Sequence, residues 1–184
     1  MQKAVDLAEH QHLAVPVTLQ PSYSLLARDI EFEIVPVCLH NGLGMLPWGP
    51  LGGGWLSGKY TRDQRPEGTT RLGEDPDRGM EAYDRVGSRQ RTWDVLEVVQ
   101  DVAEARGVSM PQVALAWLAA RPAVTSDILG ARTTEQLRDD LGAAGVTLDP
   151  DDVTRLDVVS DPGRADYPYG DVGAEQRSRE PAGA

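Results

Sequence analysis

The sequence predicts an α/β protein organised on parallel strands that cannot close a sheet by themselves. Three short apolar runs suited to buried strands, 15–20, 43–48 and 125–129, alternate with amphipathic helical stretches. The spacing of the first two leaves room for a crossover helix, which parallel neighbours require. The two later runs each end in a glycine-bearing turn, at Gly49 and Gly130. Three parallel strands leave two raw edges, which a complete fold would cover or pair. The chain therefore reads as part of a larger sheet, and self-association through the open edges is expected.

In order, residues 3–11 read as a helix already under way, with no N-cap before it, an unusual start for a complete domain. The run 15–20 is the first buried strand. From 29 to 40, Ile30, Ile34, Val37 and Cys38 share one helical face, and Gly42 supplies the stop. The run 43–48 is the second strand, followed by a glycine-rich turn and a long polar stretch over about 60–91. Residues 92–106 form an amphipathic helix with Trp93, Leu96, Val99 and Ala103 inward. Ser109 and Gln112 have capping-box spacing, and 113–120 continues that helix. The run 125–129 is the third strand. Thr133 and Gln136 repeat the box spacing and open a helix to about Leu141. Asp149 before Pro150, with Asp151 and Asp152 in the opening turn, starts a last helix. Residues 1–160 are thus one domain, and 161–184, rich in Gly, Pro, Arg and Glu, read as a flexible tail.

A net charge of −11 argues against nucleic-acid binding, because neutralising phosphates needs a basic face. No apolar run approaches the ~20 residues of a membrane span. The first residues contain no apolar stretch of the signal-peptide kind. The single cysteine, Cys38, forbids an internal disulfide and suits a cytoplasmic location; on an apolar helix face it reads as core. His10 and His12 diverge on a helix, His40 lies near a helix end, and no His/Cys/carboxylate set has zinc spacing.

Two segments suit anions. The first is Trp48-Gly49-Pro50-Leu51-Gly52-Gly53-Gly54-Trp55-Leu56-Ser57-Gly58-Lys59-Tyr60. Its glycines allow backbone N–H groups to approach a phosphate, and Lys59 adds a positive charge. Gly53-x-x-x-x-Gly58-Lys59 approximates a P-loop, but Tyr60 stands where magnesium needs Ser or Thr, and Trp55 and Leu56 are too bulky for the cradle. A plain glycine-rich turn is the bland alternative. The second is Ile128–Gln136, where a strand gives way through Gly130 to a helix start, with Arg132 as a bidentate phosphate donor. Both turns fall at C-terminal ends of parallel strands, where barrel enzymes bind ligands. Trp93 and Trp117 read as core, whereas Trp48 at a strand end could stack on a ligand.

These segments resemble the aldo/keto reductase family. The run Gln20-Pro21-Ser22-Tyr23-Ser24-Leu25-Leu26-Ala27-Arg28-Asp29, with Glu31 and Glu33 beyond it, is similar to the family's sixth-strand segment. The Trp48 to Tyr60 run resembles the seventh-strand cofactor loop. Ser109-x-Pro111-Gln112-Val113-Ala114-Leu115-Ala116-Trp117 resembles the seventh helix. The stretch from Gly130 to Gln136, with Leu137, Asp139, Asp140, Gly142 and Ala143, resembles the eighth-strand adenosine site, and Tyr167-Pro168-Tyr169 a common family tail. The resemblance runs in order over about 2–170 and is closest to the branch related to potassium-channel β subunits.

The resemblance implies a partial (β/α)8 TIM barrel, about strands 6–8 with their helices and without the N-terminal half. It implies NADPH-dependent reduction of a small-molecule aldehyde or ketone. By that likeness Gln20 would bond the nicotinamide carboxamide and Trp48 would stack on its ring. Gly49, Pro50, Leu51, Gly52 and Gly53 would wrap the pyrophosphate of NADP(H), with Lys59 and Arg71 closing over it. Gly130, Arg132, Gln136, Asp139 and Asp140 would hold the adenosine end, Arg132 facing the 2′-phosphate. Gly49 replaces the family's usual serine, and Asp139 and Asp140 replace Glu and Asn. The family's catalytic tyrosine, aspartate, lysine and histidine come from the first four strands, which nothing here resembles. A non-catalytic NADP(H)-binding or interaction module, or a decayed fragment, stands beside the truncated reductase as a reading.

Overall fold

The computed structural model describes residues 1–163, 165–170 and 173. Helix α1 (Gln2–His10) precedes a parallel pair, β1 (Thr18–Leu19) and β2 (Gly44–Met45), with Thr18 opposite Gly44 and Leu19 opposite Met45. The expected helix over 29–40 is divided into a 3-10 turn, Asp29–Glu31, and α2 (Ile34–His40). Pro36 explains the division. Its ring would clash with the carbonyl of residue 32 in a continuous helix, so α2 restarts where Pro36 lies in the first turn. Gly42, with φ 64°, then turns the chain into β2.

The third expected strand, 125–129, is corrected by the structure. This segment meets β2 only at two isolated parallel bridges, Met45 with Val124 and Trp48 with Ile128. Donors of β2 alternate between neighbours: Gly44 N–H to Val17, Met45 to Ala123, Leu46 to Leu19, Trp48 to Pro21. The alternation assigns the donor of residue 47 to the third segment. Residue 47 is proline and has none, so the ladder is interrupted. Burial also differs from expectation. Leu43 and Met45 are buried, but Val15 and Val17 on the outer flank are 37% and 73% exposed. Strand side chains point to the faces of a sheet, so this exposure means that little packs over the face that carries Val15 and Val17.

Behind the strands, α5 (Gln90–Arg106) packs on α6 (Met110–Ala119) and α8 (Pro150–Val159), and α6 on α7 (Thr134–Leu141). Val95, Val99, Val102, Val113, Trp117, Leu118 and Leu156 form the centre of that core. Leu96, Val99 and Ala103 point inward as expected, while Trp93 stays half-buried and donates its indole N–H to Gly87 O at 2.7 Å. The Ser109/Gln112 capping box is complete, and Asp149 caps α8 through Asp152 N–H. The Thr133 box is half formed: Thr133 Oγ1 accepts from Gln136 N–H, but the Gln136 side chain accepts from Arg132 N–H instead. The flexible tail expected over 161–184 lies largely outside the described residues. Within it, the short turn Asp166–Tyr169 stacks Tyr169 on Phe32, ring centroids 5.4 Å apart.

Asp127, between the two bridges, has a buried Oδ1 with no hydrogen-bond partner among the described residues, and burial pushes its pKa up to about 6. The unfolded value is about 3.9. Between the two, the folded chain holds the proton and the unfolded chain has lost it, so stability falls as pH rises from about 4 to 6. Asp127→Asn is expected to remove this slope and to raise stability at pH 7 by roughly 1–2 kcal/mol, discounted for partial exposure. Urea unfolding of both chains at pH 4 and pH 7 checks it; an equal loss between the two pH values in both chains refutes the assignment.

Candidate functional site

The glycine turn begins where β2 ends. Trp48 is 40% exposed there, and Gln20, also exposed, ends the neighbouring β1 segment. Pro50 is buried and Leu51 half-buried, so the turn is anchored from below. Gly53 and Gly54 have φ of 68° and 97°, conformations that side-chain-bearing residues rarely adopt. Trp55 and Leu56 do not enter the cradle; both are fully buried in the core behind it. Tyr60, the residue that breaks the P-loop pattern, is a strut: its hydroxyl donates to Gly53 O at 3.4 Å and accepts from Leu72 N–H at 3.3 Å. It thereby fixes the turn to α3 (Arg71–Glu74).

Charged groups crowd this turn on both sides. A Cβ added at Gly53 would lie 2.5 Å from the Glu81 carboxylate, and one at Gly54 would lie 2.5 Å from Lys59 Nζ. Glu81 pairs with Arg71 at 2.9 Å, and Arg132 makes a forked pair with Glu74, Nη1 to Oε1 at 3.0 Å and Nη2 to Oε2 at 2.5 Å. The pairing with Arg132 holds the Glu74 carboxyl below its ordinary pKa. Lys59 is held below its ordinary pKa by partial desolvation and then by the positive charges of Arg132 and Arg71. Three cations thus converge on one turn. A carboxylate oxygen of Glu81 fills the space where a Cβ at Gly53 would stand.

The structure therefore brings Lys59 to Gly54 and Arg71, through Glu81, to Gly53, with Arg132 and Asp140 close enough to Lys59 to shift its charge. Asp140 is 5% exposed, and its pKa is raised by burial and by Asp139, against the opposing charge of Lys59. Gly130 is exposed between the strand segment and α7. Asp139 goes elsewhere. It accepts from Ser109 Oγ–H at 2.7 Å and from Gln112 Nε2 at 3.0 Å, joining α7 to the capped start of α6. Gln136 is occupied by the Arg132 amide at 2.9 Å. Sequence reasoning missed Glu74 and Glu81. Nothing local marks them, because their partners are chosen by how the polar stretch folds back.

Tyr23, Tyr60 and Tyr83 are taken up structurally. Tyr23 is buried and donates to Glu31 at 2.7 Å, burial and Glu31 together raising its pKa, and Tyr83 donates to Thr61 O. Among the described residues, no Tyr, His or Lys lines the cavity beside Trp48.

The model of the aldo/keto reductase family matches residues 1–161. The uncharacterized oxidoreductase YrpG of Bacillus subtilis is 35% identical over 162 residues, 88% of this chain and 46% of the relative. A probable voltage-gated potassium channel subunit beta of Arabidopsis thaliana is 33% identical, covering 78% of this chain and 43% of the relative. Versiconal hemiacetal acetate reductase of Aspergillus parasiticus is 27% identical over 77% of this chain. The chain spans about half the length of the curated relatives it matches. With its family model matched across nearly the whole described chain, the protein belongs to the aldo/keto reductase family.

Proposed function

We propose that this chain is the cofactor-gripping part of an NADP(H)-dependent carbonyl reductase, built as strands 6–8 of a (β/α)8 barrel and working in the cytoplasm. The observation that carries the reading is the convergence of Lys59, Arg71 and Arg132 on the Gly53–Gly54 turn. Lys59, Arg71 and the amides from Gly49 to Gly53 would hold the pyrophosphate, and Arg132 the 2′-phosphate. Trp48, exposed at its strand end, would face the nicotinamide, with Gln20 bonding the carboxamide. Gly130, Gln136 and Asp140 would line the adenosine end. Asp139 has a joining role between helices on present contacts. When bound, the nicotinamide supplies a hydride to the carbonyl carbon; the proton donor would come from chain beyond these residues.

The experiment is calorimetry with NADPH and NADH on the parent and Arg132→Ala. A charge-assisted contact is worth roughly 1.5–3 kcal/mol, so NADPH should weaken roughly ten- to hundredfold while NADH changes little. Equal NADPH affinity in both proteins removes Arg132 from the site. A second reading, a non-catalytic NADP(H)-binding module, is favoured by the structural occupation of Tyr23, Tyr60 and Tyr83. Steady aldehyde turnover by the pure chain would exclude it.

A further inference from the structure

A cavity of about 410 Å³ opens beside Trp48, between the 22–30 segment and the start of α5. Much of its wall is apolar: Leu26, Ala27, Ile30, Trp48, Met80 and Val86. Its polar part is basic, with Arg85 and Arg89 exposed and Arg91 half-buried at its edge. Arg85, Arg89 and Arg91 all line it, and none has an ion-pair partner within 4.0 Å among the described residues. In a protein of net charge −11 carboxylates are plentiful, and Arg28, Arg71, Arg106, Arg121 and Arg132 each pair with one. The acids in the cavity lining are Asp29 and Glu81, and Glu81 is taken by Arg71. Three guanidinium groups therefore face one unpaired carboxylate.

Arg91 is the least satisfied of them. One Nη donates to Ser160 O, while Nε is buried without a partner among the described residues. The placement is also contrary to helix electrostatics. Arg89 is the N-cap of the 17-residue helix α5, offers it no side-chain cap, and no acid stands in the first turn. Cations at the positive end of a helix repel its dipole. A bound anion would offer Arg91 Nε an acceptor and would offset the positive end of α5.

We infer that this cavity binds a small organic acid, its carboxylate held by Arg89 and Arg91 and its apolar body lying along Ile30 and Val86, at the edge of Trp48. A guanidinium fork matches a carboxylate, and a ring-sized body matches the wall. On the proposed cofactor reading the site would lie beside the nicotinamide, so the substrate would be a carbonyl compound that also bears a carboxylate. Anion binding itself does not depend on that reading.

The test uses the whole chain and benzoate as probe, with benzamide as the uncharged match. Titration is followed by NMR on the indole N–H signals of Trp48 and Trp55. Benzoate should bind at least about tenfold more tightly than benzamide. Arg89→Gln, whose side chain makes no contact the fold needs, should weaken benzoate several-fold and leave benzamide unchanged. Arg89→Gln combined with Arg91→Gln should abolish the preference, melting temperature confirming that the pair still folds. Equal binding of benzoate and benzamide by the parent, or a preference undiminished in Arg89→Gln, overturns the proposal. Inorganic phosphate binding as tightly as benzoate overturns the assignment of an organic acid. NADPH titrated into the same variants keeps the two ideas apart: intact cofactor binding with lost benzoate binding supports this site, and lost benzoate preference in the parent with intact NADPH binding sinks this proposal alone.

Discussion

Replacing Trp55 by alanine is expected to destabilise the chain by about 3–5 kcal/mol, the range for deleting a buried large aromatic. Trp55 is fully buried at the centre of an aromatic group: Tyr83 stacks at 5.4 Å, and Tyr60 and Trp93 meet it edge-on at 5.1 and 5.6 Å. Its indole N–H donates to Glu81 O at 3.0 Å, so the ring also holds the segment whose carboxylate lies over Gly53. Domains of this size are stable by only about 5–15 kcal/mol in total, so the loss approaches unfolding. Trp55→Phe keeps much of the ring packing and loses the N–H bond, and should retain more than half of the difference. Urea denaturation of the three proteins decides; a loss below ~1 kcal/mol in the alanine variant would show that the group repacks without its centre.

Arg28→Ala is the second large effect, expected at about 3 kcal/mol or above because it leaves buried partners unpaired. Arg28 is 8% exposed. Its Nε and Nη2 bond the two oxygens of Glu31 at 2.8 and 2.9 Å, and Nη1 bonds both Asp157 O and the buried Ser160 Oγ at 2.8 Å. The guanidinium also lies 5.3 Å from the centre of the Trp117 ring. One side chain thus ties the segment after β1 to the end of α8. Lysine keeps the charge but has no fork, so Arg28→Lys should recover only a minor part of the loss. Full rescue by lysine in thermal melts would mean that charge alone, rather than the forked geometry, holds the two segments.

Local signals were legible and long-range ones were not. The caps of α6 and α8 depend on residues three apart, and Ser109/Gln112 and Asp149 were read directly. The glycine turn and Arg132 were visible because strand, glycine and helix start follow one another in the chain. The missing third strand was different: Pro47 is plain in the sequence, but which neighbour its absent N–H would have served depends on register. Val17 read as buried because an apolar run does not say which sheet face will lack a cover. Asp139 illustrates the same limit at the site. Its position in the motif pointed to adenosine, while its oxygens are drawn to Ser109 and Gln112 on another helix. Arg28 and Glu31 belonged to the resemblance without an assigned task, and packing against α8 supplied it.

The pairs Glu74–Arg132 and Glu81–Arg71 mean that neither arginine waits empty. Each carboxylate is a rival ligand on a short tether, present at an effective concentration on the order of millimolar. On the proposed cofactor reading, a phosphate arriving at either guanidinium would have to displace its rival, so the observed affinity would be the intrinsic one scaled by the fraction of time the arginine is released. The rivalry would also act at departure. Once such a phosphate let go, the tethered carboxylate would refill the fork, and exchange would be quickened at the expense of tightness.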